Sequence, residues 1–372
     1  MIEIREVKTK KQLRQFVEFP IKLYKDCPYY VPPIAADEMG MFNPKTNPAY
    51  EFCKTRLFLA YKDSKLVGRI AGLINYAYNK KVNKELIRFT RYDVIDDIEV
   101  SRALIEKVKE FGKEYGLRAM MGPIGFTDID KQGMLVEGFD EMNLSITIYN
   151  YEYYHQHLET LGFVKDADWV EYQIGIPEKM DPRIERVSAL VEKRYGFHRI
   201  HIKKNKDLYP YALEAFQVVN EAFAKLYGVV PLTDKIIEKS IKEYVPLVNL
   251  DYVFVIGDKE GKVIGFGLML PSIAMALKKS NGHLFPFGLL RMLHALKTSD
   301  ILEMYFIAVK PEFQNMGVNA LIISEAIKAC MKNNAKFAET GPELENNNSV
   351  QDQWKSFQAR QHRRRRCYIL PF

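Results

Sequence analysis

The sequence predicts an α/β fold of the α+β type, built from two tandem copies of one βαββαβαβ unit. The length of 372 residues is more than a single hydrophobic core usually supports. Two similar hairpins of apolar runs, 57–75 and 253–270, lie one in each half of the chain. A later strand of each half runs into a Gly-Pro pair, Gly122-Pro123 in the first and Gly341-Pro342 in the second. Two copies explain the length better than one large sheet.

The elements of the first copy follow from hydrophobic spacing and turn residues. The segment 27–50, rich in Pro and Tyr, and the segment 126–142 are predicted to be irregular. The predicted elements are a strand at 2–7, a helix at 11–24, the hairpin 57–75, a strand at 88–95, a helix at 98–115, strands at 119–125 and 146–149, a helix at 153–161 and a strand at 169–174.

The second copy repeats this order after a break. Pro177 and Asp181-Pro182 interrupt the pattern, so we predict domains at 1–176 and 177–372. Its predicted elements are a helix at 183–195, a strand at 198–203, a helix at 211–226, the hairpin 253–270, an insertion at 271–300, a strand at 301–309, a helix from 318 to about 334, and a strand into Gly341-Pro342.

The strand, loop and helix of 301–334 form the candidate site. Backbone N–H groups of residues 314–317 open the helix, where no carbonyl four residues back is free to accept them, and such a terminus attracts phosphate. Gly317 has no side chain to keep a pyrophosphate away. The segment is therefore interpreted as a cradle for a phosphorylated cofactor, the alternative being an ordinary βα turn. The matching loop of the first copy holds four carboxylates, which would repel an anion: Asp93, Asp96, Asp97 and Glu99.

This order of elements, and the loop from Gln314 to Asn319, resembles the GCN5-related N-acetyltransferase (GNAT) superfamily. Gln314 and Gly317 match its signature, whereas Asn319 stands where the family has a small residue, and Trp354 stands where a helical Tyr would protonate the leaving thiolate. An indole cannot act as that acid. In the family the strand before the loop is bulged and splays from its neighbour.

The resemblance implies two domains, each with a mixed, mostly antiparallel sheet flanked by helices, and acetyl-CoA or a longer acyl-CoA as cofactor of the second domain only. The cofactor-binding residues that it implies are Ile307, Val309, Gln314, Asn315, Met316, Gly317, Val318, Asn319, Asn347 and Trp354. The phrases GPIGFTDIDKQGMLVEGFD, PELENNN and RRRRCYI are similar to a group of bacterial tandem GNAT-like proteins, some distant members of which are thought to acylate amines of long-chain lipids.

The reaction implied is attack of an unprotonated amine on a thioester, with a carboxylate taking the proton. Glu303 is the first base candidate, the alternative being a solvated carboxylate at a strand end. Glu345 is the second, against a helix-capping role. Tyr305 lies on the face of Glu303 and is a candidate acid, or else a core or rim tyrosine. Glu339, on the neighbouring strand, is a weaker third carboxylate.

Other features bound the function. The four cysteines show no metal spacing, and His155 and His157 fall on different faces of a helix, so no metal site is predicted. The charged start and the lack of a long apolar run predict a cytoplasmic location, peripheral to a membrane at most. The net charge of +7 is concentrated in 351–372, above all in Arg363–Arg366. No aromatic platform accompanies these arginines, so nucleic acid is not favoured; some are expected to meet phosphates of a cofactor or lipid.

The helix predicted at 284–297 is apolar on one side, with Arg291, His294 and Lys297 on the other. It is interpreted as a packed lid, or as a surface that holds an acyl chain or contacts a membrane. The leading hypothesis is an acyl-CoA-dependent N-acyltransferase with a small-molecule or lipid amine as acceptor. The alternatives are a binding protein that has lost the chemistry, and an aminoacyl or peptidoglycan-bridge transferase.

Overall fold

The computed structural model describes residues 1–372 and confirms an α/β fold with a mostly antiparallel sheet flanked by helices. The first copy contains the strands β1 (Ile2–Glu6), β2 (Cys53–Lys62), β3 (Lys65–Asn75), β4 (Leu86–Val94), β5 (Ala119–Gly122), β6 (Met134–Glu137) and β7 (Val164–Gly175). Its helices are α1 (Lys10–Leu23), α2 (Ala35–Met41), α3 (Tyr76–Val82), α4 (Ile98–Glu114) and α5 (Tyr153–Thr160).

The second copy follows the helix α6 (Pro182–Tyr195), whose N-terminus is capped by Asp181. Its strands are β8 (His198–Arg199), β9 (Val253–Gly257), β10 (Val263–Pro271), β11 (Ile301–Val309), β12 (Phe337–Thr340), β13 (Glu343–Leu344) and β14 (Ala359–Pro371). Its further helices are α7 (Tyr209–Phe223), α8 (Asp234–Tyr244), α9 (Ala274–Lys279), α10 (Gly288–Thr298), α11 (Val318–Lys332) and α12 (Asn348–Gln351).

The two copies join into one continuous sheet, whereas the sequence favoured two. Its order is β1-β2-β3-β4-β5-β14-β7-β12-β11-β10-β9-β8, with β6 beside β14 and β13 beside β7. Each copy therefore takes its last strand from the other: β14 pairs with β5, and β7 pairs with β12. The boundary between 176 and 177 separates two repeats of sequence, and as a domain boundary it remains a prediction.

Buried ion pairs fix the register where β7 meets β14. Glu171 of β7 is fully buried and accepts hydrogen bonds from both Arg363 and Arg365 of β14. Arg363 also donates to Glu339 of β12 at 2.9 Å. Arg364 and Arg366 face the opposite side and pair with Asp168, among others. All four arginines thus form ion pairs within the protein, and the expectation that some of them also meet phosphates of a cofactor or lipid remains a prediction.

The largest hydrophobic core lies between the copies. This cluster of 26 buried residues combines α1 and β2 of the first copy, through Phe16 and Leu59, with α7 and α8 of the second, through Val218 and Ile237. Each copy also has its own core on the other face of the sheet, under α4 and α5 in the first and under α6 and α11 in the second. The copies are therefore held together by both sheet pairing and packing.

Several short elements differ from the prediction. The segment 146–149 is a loop and not a strand, because the side chain of Asn143 donates to the carbonyls of Leu144 and Thr147 and folds the chain back. The helix predicted at 284–297 begins only at Gly288, after Pro286. Helices α2, α3 and α8 and strand β6 lie in segments where no element was predicted.

Candidate functional site

The centre of the site is a gap in the sheet between β11 and β12. These parallel strands pair only from Ile301 to Met304, and the last bond is that from the Gly341 N–H to the Met304 carbonyl at 3.2 Å. On the other side of β11, the register with β10 shifts between Met304 and Phe306, so Tyr305 is bulged. The bulge and the splay expected of this strand are confirmed. They leave the β12 side of Ile307 and Val309 without a strand partner, although both residues still pair with β10 on the other side. Such an unpaired side offers backbone groups to a ligand.

The N-terminus of α11 faces the same gap. The N–H groups of Asn315, Gly317, Val318 and Asn319 donate to no other group of the chain. No acidic residue occupies the first turn of the helix, and Gly317 at the N-cap has φ +86°. Four free amides at the positive end of a helix dipole are an arrangement that attracts a phosphate group. The Gln314 side chain donates to the Val309 carbonyl at 3.2 Å and ties this loop to β11.

Packing gives a second reason for glycine at position 317. A Cβ atom built there would lie 2.4 Å from a methyl carbon of Val191, on α6. The close approach that the sequence assigned to a pyrophosphate is thus made by a helix of the protein itself. Substitution of Gly317 would disturb α6 as well as a ligand, so it is a poor probe of binding.

Glu303 is buried at the closed end of the gap, where two serine hydroxyls donate to it. Ser145, from a loop of the first copy, donates to one carboxyl oxygen at 2.8 Å, and Ser272 donates to the other at 2.7 Å. Burial raises the pKa of Glu303 above its ordinary value, although the serine bonds act in the opposite sense. The Tyr305 hydroxyl lies 3.3 Å from Ser145 Oγ, and burial raises its pKa too. Ser145 therefore joins the two predicted catalytic residues, and nothing in the local sequence indicated it or Ser272.

Glu343 is a further functional candidate that the sequence analysis missed. It follows Gly341-Pro342 at the gap and accepts a hydrogen bond from the Trp354 indole at 2.9 Å. Burial raises the pKa of the Glu343 carboxyl to about 8, against the effect of that bond. A pKa raised in this way favours the protonated form of the carboxyl at neutral pH. Trp354 stands where the family has the tyrosine that protonates the leaving thiolate. Its indole instead holds Glu343, whose carboxyl can donate a proton.

The other predicted carboxylates are engaged elsewhere. Glu345 pairs with Lys165 and, at 3.0 Å, with Arg364. Glu339 is bound by Arg363 and by the Gln173 amide. The structure thus does not bring Glu345 together with Glu303 and Tyr305, and its predicted role remains a prediction without support from this placement.

The gap opens into a cavity of about 1270 Å³ between the two copies. Of the 63 residues that line it, 39 are hydrophobic, so it suits a ligand with a long apolar part. Tyr305, Ser145 and Glu343 line it, whereas Glu303 lies behind Ser145. The predicted cofactor residues that line it are Ile307, Val309, Gln314, Asn315, Gly317, Val318, Asn319, Asn347 and Trp354. Met316 instead packs against the core beneath α6 and α11.

The equivalent gap of the first copy is filled. Strands β4 and β5 pair only from Leu86 to Arg88 and from Ala119 to Met121. Beyond that point Arg91, with φ +50°, is buried and bound by Glu38 at 2.9 Å and by Asp130 at 2.8 Å. Asp97 caps α4 by accepting from the Glu99 N–H, in the place that a phosphate would take.

Solved structures share this architecture. A tandem GNAT protein from the clavulanic acid biosynthesis pathway aligns with 100% of this chain and 98% of its own, at a TM-score of 0.56 and 11% identity. The chain has a tandem GNAT fold. The structure of a GCN5-related N-acetyltransferase from Sphaerobacter thermophilus also aligns over 100% of this chain and 95% of its own, at a TM-score of 0.54 and 9% identity.

Two sequence relatives extend over most of this chain. Protein YghO of Escherichia coli strain K12 is 25% identical over 372 residues, which cover 98% of this chain and 94% of the relative. The bacterial ceramide synthase of Caulobacter vibrioides is 24% identical over 323 residues, which cover 84% of this chain and 82% of the relative. No family model matches the chain.

Proposed function

We propose that this protein is an N-acyltransferase that moves an acyl group from acyl-CoA to the amine of a long-chain, lipid-like acceptor. The proposal depends above all on one juxtaposition: the four free amides of α11 and the unpaired edge of β11 open directly into a large, mostly apolar cavity. A relative named as a ceramide synthase supports an acceptor of this class.

The residues of the gap fit acyl-CoA, which supplies an acyl group activated as a thioester. The free N–H groups of Asn315, Gly317, Val318 and Asn319 would hold the diphosphate. The unpaired edge of β11 at Ile307 and Val309 would take the pantetheine arm. The apolar lining of the cavity would hold the chains of the acyl group and of the acceptor.

Proton transfer is assigned to two carboxyls. As the amine nitrogen bonds to the carbonyl carbon, its proton passes to the Ser145 hydroxyl while Ser145 gives its own proton to Glu303. As the carbon–sulfur bond breaks, Glu343 gives its proton to the departing sulfur. Solvent then returns the proton from Glu303 to Glu343, and both carboxyls regain their starting states.

Calorimetry with CoA and with palmitoyl-CoA tests the cofactor site. Asn315→Asp places a carboxylate beside the free amides at an exposed position with φ +64°, where Asp is tolerated. We expect binding weakened about fivefold, because one partly screened unit charge near a diphosphate costs on the order of 1 kcal/mol. The matched control is Asn334→Asp, an exposed asparagine with φ +54° at the other end of α11, which should leave the affinity unchanged.

Wild-type protein that binds neither ligand would end this proposal, and equal effects of the two substitutions would place the CoA site elsewhere. A second candidate function, CoA binding without catalysis, is favoured by Trp354 in place of an acidic side chain. Incubation with palmitoyl-CoA and a panel of long-chain amines, followed by mass spectrometry, separates the two. Binding without any amide product would support the second candidate.

A further inference from the structure

The insertion at 271–300 presents large apolar side chains to solvent. Phe285 is 80% exposed, Phe287 61% and Leu290 64%. They lie together at the turn between α9 and α10 and on the first turn of α10, whose Gly288 and Met292 are buried on the opposite side. Neighbouring exposed aromatic and aliphatic side chains are typical of a surface that binds a partner.

The charge of the insertion is mostly positive. Its one acid, Asp300, lies next to β11 and pairs with Lys336 at 2.6 Å. Its exposed cations are Lys279, Arg291 and Lys297, with His294 beside them. Two copies of this surface placed face to face would bring like charges together. A negatively charged, apolar partner suits it instead, which is the chemistry of an anionic bilayer.

The inner side of the insertion covers the cavity. Ile273 and Leu277, at the start of α9 and within it, line the cavity of the site. The insertion also touches the first copy, because the Ala35 N–H donates to the Gly282 carbonyl at 2.9 Å. One layer of helices thus separates the cavity from the exposed apolar surface.

We propose that the insertion docks on an anionic lipid bilayer, with Phe285, Phe287 and Leu290 entering the interface and Lys279, Arg291 and Lys297 facing the headgroups. No helix of the structure has the length and apolar character needed to cross a bilayer. Docking places the roof of the cavity at the membrane surface, where long-chain amphiphiles are concentrated. The surface contact stands apart from the chemistry, and would hold for a protein that only binds CoA.

Flotation with lipid vesicles tests this contact on the full chain. We expect binding to vesicles of phosphatidylcholine containing phosphatidylglycerol, weaker binding at high salt, and little binding to phosphatidylcholine alone. Phe285→Ala combined with Phe287→Ala should weaken binding about tenfold or more, since two aromatic side chains no longer leave water. Lys279→Glu combined with Lys297→Glu should reduce binding to the anionic vesicles only.

Two exposed leucines supply the matched control. Leu290→Ala should weaken vesicle binding, whereas Leu190→Ala should not, because Leu190 is 59% exposed on α6 and lies outside the insertion. Equal effects of the two changes, or equal binding to neutral and anionic vesicles, would overturn the proposal. Sedimentation velocity of the aromatic double variant is the further check: a wild-type dimer that this variant dissociates would assign the surface to a second copy of the chain. CoA affinity, measured on the same variants, should stay unchanged.

Discussion

Replacement of Glu171 by Gln tests whether the buried ion pairs hold the two copies together. Glu171 and Arg365 are both 0% exposed, and Arg363 is 1% exposed. Without the carboxylate, Arg365 keeps only the Ile148 carbonyl and the Asn143 side chain, and neither is charged. Removal of one partner of a buried ion pair typically costs about 3–5 kcal/mol, because the other charge stays buried without compensation. We therefore expect Glu171→Gln to lower the free energy of unfolding by about 3 kcal/mol, since the amide retains one acceptor.

Urea denaturation followed by circular dichroism and by tryptophan fluorescence measures this loss. The control is Glu110→Gln, which breaks an exposed pair with Lys107 and should cost less than about 1 kcal/mol. Burial opposes the charge on Glu171, yet Arg365 and Arg363 outweigh it and lower the pKa. The pairs thus stabilise the wild type above the ordinary pKa of 4.5, and this stabilisation is lost as pH falls through the folded-state pKa. A loss of less than about 1 kcal/mol for Glu171→Gln, or a variant with the same acid dependence as wild type, would refute this reasoning.

Three further predictions concern the site. The pKa of Glu343, about 8, lies above its ordinary value, so the stability that this carboxyl contributes is complete below pH 4.5 and is lost as pH rises through 8. The urea midpoint of wild type should therefore fall more between pH 6 and pH 9 than the midpoint of Glu343→Gln. Equal falls would contradict the raised pKa. Gly317→Ala should lower the free energy of unfolding for two reasons, the φ of +86° at this position and the close contact of the new Cβ atom with Val191. Adding Val191→Ala should recover only the part of this loss that is due to the contact. If the losses of the two single variants, measured with urea, simply add in the double variant, the clash is excluded. Ser145→Ala should slow amide formation about 100-fold or more, because the proton path to Glu303 is interrupted. Steady-state kinetics measures this rate, and calorimetry should show an unchanged CoA affinity. An unchanged rate would remove Ser145 from the mechanism.

Local patterns were enough to predict the strand, loop and helix of the site. The apolar run of β11, the break at Pro311 and the helical spacing of α11 all depend on neighbouring residues, and the structure has each of them. Side chains of a strand alternate between its two faces, so alternate arginines of 363–366 face opposite sides once this segment is a strand. Arg363 and Arg365 are indeed buried, whereas Arg364 and Arg366 remain partly exposed.

Partners distant in sequence could not be predicted in this way. Ser145 reaches Glu303 across 158 positions, and Arg365 reaches Glu171 across 194. Such contacts depend on which strands become neighbours, and period and propensity do not encode strand order. The exchange of the last strands, β7 and β14, between the two copies could not be predicted for the same reason. A charge run is an ordinary sign of a solvated surface, so the burial of Arg365 became visible only with the pairing of β7 and β14.

The two copies break their central parallel pairing at the same place but use the break differently, and this predicts the stoichiometry of CoA binding. In the second copy the break leads to free amides and a cavity. In the first, Arg91 is 4% exposed between Glu38 and Asp130, so opening that gap would strip a buried cation of both partners. Asp97 already satisfies the N-terminus of α4 and would repel a phosphate. We therefore expect one CoA per chain in calorimetry, and two equivalent sites would show that the ion pairs of Arg91 do not close the first gap.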